Sequence, residues 1–225
     1  MRVRHSPVWK YGIVGHDLRS PLGAFVAGVG LLEMRLDDPS IQPILKRLQS
    51  SARRMTRIVD QLLDVTRATL GSGIQIDRRE TELLSLLRGV VDEIKSQQPE
   101  AQVFVTHSGE VRGRWDPERL EQVASNLLTN ALYYGRPGGP VVIELGRADD
   151  QVSIAVKNEL RDRPIPPDVL GVLFDPHRRG GDARHNAAAL GLGLCIVQQI
   201  VHVHRGVIVA RSDNSGTEFR VTLPG

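Results

Sequence analysis

The chain holds 225 residues with a formal charge of +3, and its 40% hydrophobic, 24% charged and 4% aromatic residues predict one or two globular domains. So few aromatics argue against a stacking platform for single-stranded nucleic acid, and the pairs Arg53-Arg54, Arg78-Arg79 and Arg178-Arg179 read as solvated faces or isolated phosphate contacts. With one cysteine (Cys195), no run of ~18 apolar residues and no signal-peptide core, the composition predicts a soluble cytoplasmic segment that contacts neither membrane nor nucleic acid.

From about residue 8 to 70 the apolar residues predict two helices. Leu18, Leu22, Phe25, Val29, Leu32 and Leu36 recur at alternating steps of four and three. After Asp37-Asp-Pro-Ser40, so do Ile41, Leu45, Leu48, Ala52, Met55, Val59 and Leu62. These are heptad seams, with Ser40 placed to cap the second helix. A lone hairpin has too little to bury both seams against, so two chains are expected to pair into a four-helix bundle. His16 lies two residues before the seam position Leu18, beside the apolar stripe and toward solvent. Unprotonated imidazole is a usable nucleophile, and Asp17 can orient the ring through one nitrogen. Pro21 removes the backbone bond that would reach the Asp17 carbonyl, which loosens the helix at that point.

Gly71-Ser-Gly73 punctuates a change of domain, giving a helical hairpin over 1–72 and a second unit over 73–225. In the second unit, short β-like runs fall at 74–76, 103–106, 141–145, 152–156, 207–210 and 219–223. Helical patterns run over about 82–97, 117–134 and 192–204. Strands and helices mixed in this way predict an α/β sandwich.

On the helix after Trp115-Asp-Pro, Leu120, Val123, Leu127 and Ala131 form the side expected to be buried. Gln122, Asn126 and Asn130, four apart, line the other side. Asparagine has mediocre helix propensity, so two stacked on one face point to something they contact. A carboxamide oxygen suits magnesium, and its nitrogen can donate to phosphate. Farther on, Gly191 and Gly193 open a helix whose free amides and positive end can receive phosphate.

Five strings now stand in order: His16-Asp-Leu-Arg-Ser-Pro-Leu22, Asn126-Leu-Leu-Thr-Asn130-Ala, Val172-Leu-Phe-Asp-Pro-His-Arg-Arg179-Gly-Gly, Gly191-Leu-Gly193-Leu and Ser215-Gly-Thr-Glu-Phe. Over about residues 8 to 224 the chain resembles the sensor histidine kinases of two-component signalling. The resemblance implies a dimeric phosphoacceptor bundle followed by an ATP-binding sandwich of the GHKL (Bergerat) type. It implies that His16 accepts a phosphoryl group with Asp17 beside it, and that Asn130 coordinates magnesium with help from Asn126. Tyr134, Asn158 and Thr217 would lie about the adenine. Arg179, Gly191 and Gly193 would meet the phosphates, with residues 180–189 as a mobile cover. ATP and magnesium are the implied cofactors. The implied partners are a second copy of the chain, a response-regulator receiver domain, and a sensor domain upstream or on another protein.

The chain also departs from the family pattern. Asn158 replaces the aspartate that accepts a bond from the adenine amino group; a carboxamide oxygen still accepts, without the gain of charge. Leu160 replaces a glycine of an Asp-x-Gly-x-Gly motif, Tyr133 a basic residue facing phosphate, Ala189 a glycine of the lid helix and His177 a phenylalanine. Ser20 stands where many bifunctional members carry Thr or Asn. Two functions are consistent with this pattern. One is a kinase core that autophosphorylates His16 and passes the group to an aspartate. The other is a degenerate kinase serving as a dimeric binding module, which the altered glycine motif favours. An ATPase of DNA repair or chaperoning leaves the hairpin around His16 unexplained.

Overall fold

In a computed structural model of the chain, the described residues are 74–175 and 192–225 throughout, and, within 21–64, residues 21, 23–33, 35, 38, 40–45, 47–48, 51–52, 55–56, 59 and 63–64. The chain divides into two units, Met1–Gly73 and Ile74–Gly225.

In the first unit the described residues between 21 and 35 are helical, as are those between 42 and 64. The turn between them is organised by Asp38 rather than by the cap expected at Ser40. The Asp38 carboxylate accepts from the Ser40 N–H at 2.8 Å and from its hydroxyl at 2.7 Å. Its carbonyl accepts from the N–H groups of Ile41 and Gln42 at 3.0 and 3.1 Å. The hydroxyl of Ser40 is thus engaged by the preceding carboxylate, the usual Asx-turn competition. Hydrogen bonds from the Ser40 side chain and backbone hold the Asp38 carboxyl below the ordinary range. The heptad seams are split: Val29, Leu45 and Ala52 are buried, whereas Phe25, Leu32, Leu48 and Met55 are exposed.

The second unit begins with a two-stranded antiparallel ribbon, β1 (Arg79–Glu82) against β3 (Arg112–Trp115), flanking α1 (Leu83–Gln97) and β2 (Val103–Ser108). There follow α2 (Pro117–Tyr134), β4 (Val141–Ala148), β5 (Gln151–Asn158), the single turn α3 (Pro167–Leu170), α4 (Gly193–Val203), β6 (Val207–Asp213) and β7 (Gly216–Pro224). Five strands form one mixed sheet in the order β2-β4-β5-β7-β6, parallel between β2 and β4 and antiparallel elsewhere. Its inner rows are apolar: Ile143, Val156 and Phe219 lie in register across β4, β5 and β7, and all are buried. Helices α1, α2 and α4 supply Leu87, Leu120, Leu127, Ile196 and Ile200 to the same core. Each such side chain contributes about 1.5–3 kcal/mol on burial. The outer rows carry charge, with the Lys157 ammonium 2.7 Å from Glu144 and 3.5 Å from Glu218, and Arg220 bidentate on Glu218.

The predicted sandwich and its three long helices are present. The strand expected at 74–76 is not. Those residues are irregular, and the strand starts at Arg79. The Asp77 N–H is bonded to the Asp116 carboxylate at 2.8 Å, which draws this segment across the start of α2 before pairing with β3 begins.

Candidate functional site

Helix α2 starts where Asp116 accepts from the Arg119 N–H at 3.1 Å and Pro117 occupies the first helical position. With that phase fixed, Leu120, Val123, Ala124, Leu127, Leu128 and Ala131 are buried, and Gln122, Asn126 and Asn130 are half-buried on the other side. Helix α4 meets this second face at its first residue. A Cβ placed on Gly193 would lie 3.5 Å from Asn126 Oδ1 and 3.6 Å from its Cγ. The carboxamide and the amino end of α4 therefore adjoin with no side chain between them. Hard oxygen donors beside a helix amino end fit a phosphate chain and its magnesium. Among the described residues no group of three or more His, Cys, Asp or Glu could hold a metal ion. A divalent ion here would rest on carboxamide oxygen and on the phosphates of the nucleotide itself, a common mode for magnesium.

At the other end of the site, β5 finishes with Asn158, directly opposite Thr217 of β7. Both are buried. The Thr217 hydroxyl lies 2.9 Å from that of Ser212, whose oxygen also accepts from the Ile165 N–H at 3.0 Å. Asn158 Nδ2 donates to the Glu159 carbonyl at 2.9 Å. Leu160, which replaces a glycine of the family pattern, pairs with Gly135 in an isolated antiparallel bridge. The Arg136 N–H donates to the Glu159 carbonyl at 3.1 Å, and its guanidinium lies 2.8 Å from the Glu159 carboxylate. On the opposite side of this bridge Gly135 packs closely against its neighbours. A Cβ on Gly135 would come within 2.5 Å of the Ala131 carbonyl and 3.1 Å of Asn158 Nδ2. Tyr134 is exposed at the end of α2, its ring centroid 4.8 Å from that of Tyr133 in an edge-to-face pair at 85°.

Sequence reasoning missed Gly135, Ser212 and His204. A glycine just past an apolar helix is a legible stop signal, so Gly135 could have been found. Ser212 carries no local signal, because only the β6–β7 register sets it opposite Thr217. His204 is buried at the end of α4. Its Nε2 accepts from the Asp116 N–H at 3.0 Å, and its Nδ1 faces the Ile200 carbonyl at 2.8 Å. Only the neutral ring with its proton on Nδ1 makes both bonds at once, and burial pushes the His204 pKa below the ordinary histidine value. Arg78 donates to the Val203 carbonyl at 3.0 Å, so the segment entering this unit is tied to both α2 and α4.

Two cavities flank Asn158. The smaller, of about 110 Å³, is lined by Gly135, Arg136, Pro140 and Asn158 among others. The larger, of about 400 Å³, includes Lys157, Asn158, Arg211, Gly216, Thr217 and Glu218. Asn126, Asn130, Tyr134 and Gly193 line neither cavity. The structure thus brings Asn126 to Gly193 and Asn158 to Thr217, with Asn130 and Tyr134 following Asn126 along α2. His16, Asp17, Arg179 and Gly191 lie outside the described residues.

Residues 12–71 match the His Kinase A (phospho-acceptor) domain, and residues 115–225 match the histidine kinase-, DNA gyrase B- and HSP90-like ATPase. The chain is 34% identical to a bacteriophytochrome of Pseudomonas aeruginosa, over 94% of this chain and 29% of that protein. It is 36% identical to the sensor histidine kinase TrcS of Mycobacterium tuberculosis, over 93% of this chain and 42% of that one. These relatives are longer; the chain spans less than half of either. Among solved structures, full-length ShkA in complex with AMPPNP matches with a TM-score of 0.69 at 21% identity, over 96% of this chain and 45% of that one. The catalytic domain of histidine kinase ThkA matches with a TM-score of 0.58 at 25% identity, over 66% of this chain and 96% of that one. The hairpin motif, the carboxamide helix and the sandwich therefore have one explanation: the chain belongs to the sensor histidine kinases of two-component signal transduction, a family of ATP-dependent phosphotransferases.

Proposed function

We propose that this chain is a kinase core in which His16 takes the γ-phosphoryl group of Mg-ATP and hands it to an aspartate of a response-regulator receiver domain. A nitrogen–phosphorus bond forms at the imidazole as the bond from the γ-phosphorus to the bridging oxygen breaks, releasing ADP. Asp17 orients the ring. Asn130 is assigned to the magnesium ion, and Asn126 to the ion and the phosphates, beside Gly191, Gly193 and Arg179. Tyr134, Asn158 and Thr217 are assigned to the base. Bound magnesium supplies charge neutralisation on the phosphates; positioning falls to the chain's own residues.

The hairpin through residue 72 is assigned to dimerisation and phosphoacceptance, and the part from 73 onward to ATP binding. Exposed seam residues Phe25, Leu32, Leu48 and Met55 support pairing of two copies into a four-helix bundle. Among the described residues no helix is long and apolar enough to cross a membrane, and the proposed chemistry places this segment in the cytoplasm, under control of a sensor domain elsewhere.

One observation carries the reading: the Asn126 carboxamide sits against the opening residue of α4, while buried Asn158 and Thr217 face each other across the strands. The test incubates the chain with magnesium and γ-labelled ATP. Acid-labile, base-stable label is expected on the wild type and lost in both His16→Gln and Asn130→Ala. Nucleotide binding without label would favour the binding module instead. Leu160, the feature that favoured such a module, sits in a backbone bridge with Gly135.

A further inference from the structure

A carboxamide at position 158 is ambiguous toward a purine. Its oxygen accepts from a 6-amino group, its nitrogen donates to a 6-oxo group, and a free rotation of the amide would exchange the two. The carboxylate usual in the family has no such freedom, because both oxygens accept. The residue is buried, at 8% exposure, and its side-chain nitrogen already has a partner. Nδ2 donates to the Glu159 carbonyl at 2.9 Å, and that carbonyl is held in turn by the Arg136 N–H at 3.1 Å. The Gly135–Leu160 bridge fixes the peptide on either side. Gly135 also leaves the nitrogen its space, since a Cβ there would lie 3.1 Å from Nδ2 and 3.3 Å from the Asn158 Cβ. The nitrogen therefore points to the carboxyl end of α2. None of the described hydrogen bonds uses Oδ1.

Resting on the base assignment made above, we infer that the Glu159 carbonyl and the Arg136 amide act as positioning groups that lock the Asn158 carboxamide with its oxygen as the reading atom, so that the site selects a 6-amino over a 6-oxo purine. Reversal of the amide would set its oxygen against the Glu159 carbonyl and leave a buried donor and acceptor mismatched. The lock thus does for a neutral residue what charge does for a carboxylate. It also gives Leu160 a part, since its backbone helps to hold the peptide that carries the locking carbonyl.

The experiment measures the affinities of Mg-ATP and Mg-ITP, which differ at the 6-position, for the whole chain and for Asn158→Asp. A locked carboxamide gives a preference for ATP of at least about tenfold, within about threefold of that shown by Asn158→Asp. Near-equal binding of ATP and ITP by the wild type, with the preference regained in Asn158→Asp, would overturn the lock and leave the ATP site standing. Loss of preference in both proteins overturns it too, because the base is then read elsewhere. Failure to bind either nucleotide would overturn the base assignment itself, and the lock with it. A second readout needs no nucleotide. The side-chain amide protons of Asn158, assigned by their absence in Asn158→Asp, are expected to exchange slowly with solvent, and free exchange would count against the lock.

Discussion

The single hydrogen of Gly216 lets β7 begin beside the end of β5. Its φ is +149°, and a Cβ there would lie 2.5 Å from the Asn158 carbonyl. Gly216→Ala must therefore either strain the backbone or push Asn158 and Thr217 apart. A cost of about 1–3 kcal/mol is expected, read as a lower urea midpoint with an unchanged slope, together with weaker nucleotide binding. An unchanged midpoint would mean that the strand ends yield freely. The Gly216-Thr217 string was legible in the sequence as a motif, but the reason for its glycine was not. The obstacle is a carbonyl contributed from 58 residues earlier (216 − 158), and only the β5–β7 register brings it there. Asn126 and Asn130 were legible for the opposite reason: their spacing alone puts them on one face of one helix, whatever packs against it.

Helices α2 and α4 carry the two halves of the proposed phosphate end, and His204 joins the end of one to the start of the other. The ring is neutral in the fold. Burial opposes its protonation most and the Arg78 guanidinium adds to that, while the Ile200 carbonyl and the Asp116 carboxylate favour it. The folded pKa lies below that of the unfolded chain, so the unfolded state binds more protons as the pH drops through about 6.5. The contribution of His204 is fully present above that value and is lost as the pH falls toward the folded pKa. Stability measured from pH 7.5 to 5.5 should decline for the wild type, and the decline should flatten in His204→Gln; equal slopes would exclude the histidine as its source. The helices themselves were readable from periodicity and from Asp116-Pro117. The ribbon of β1 and β3 was not, because Arg-Gly-Arg-Trp offers no alternation of branched residues. Its pairing is fixed within the ribbon by the Thr81 hydroxyl on the Trp115 carbonyl, and from outside by the anchoring of Asp77 and Arg78.

At the scale of the molecule, the hairpin presents large apolar side chains that a single chain does not cover. Phe25 is 44% exposed and Leu48 is 41% exposed, while Val29 and Leu45 on the same seams are buried. Covering such side chains is worth about 1.5–3 kcal/mol each. The double variant Phe25→Asp, Leu48→Asp is expected to be monomeric by light scattering while binding Mg-ATP within about threefold of the wild type. A variant that remained dimeric would place the interface elsewhere. In the second unit, the indole of Trp115 is buried and donates to the Pro224 carbonyl at 2.9 Å, which fastens the last strand to the ribbon. That bond makes the molecule its own optical gauge. Once Trp9 is replaced by phenylalanine, the fluorescence is that of one shielded indole, emitting toward the blue while the terminal strand is seated and reddening as soon as water reaches the ring.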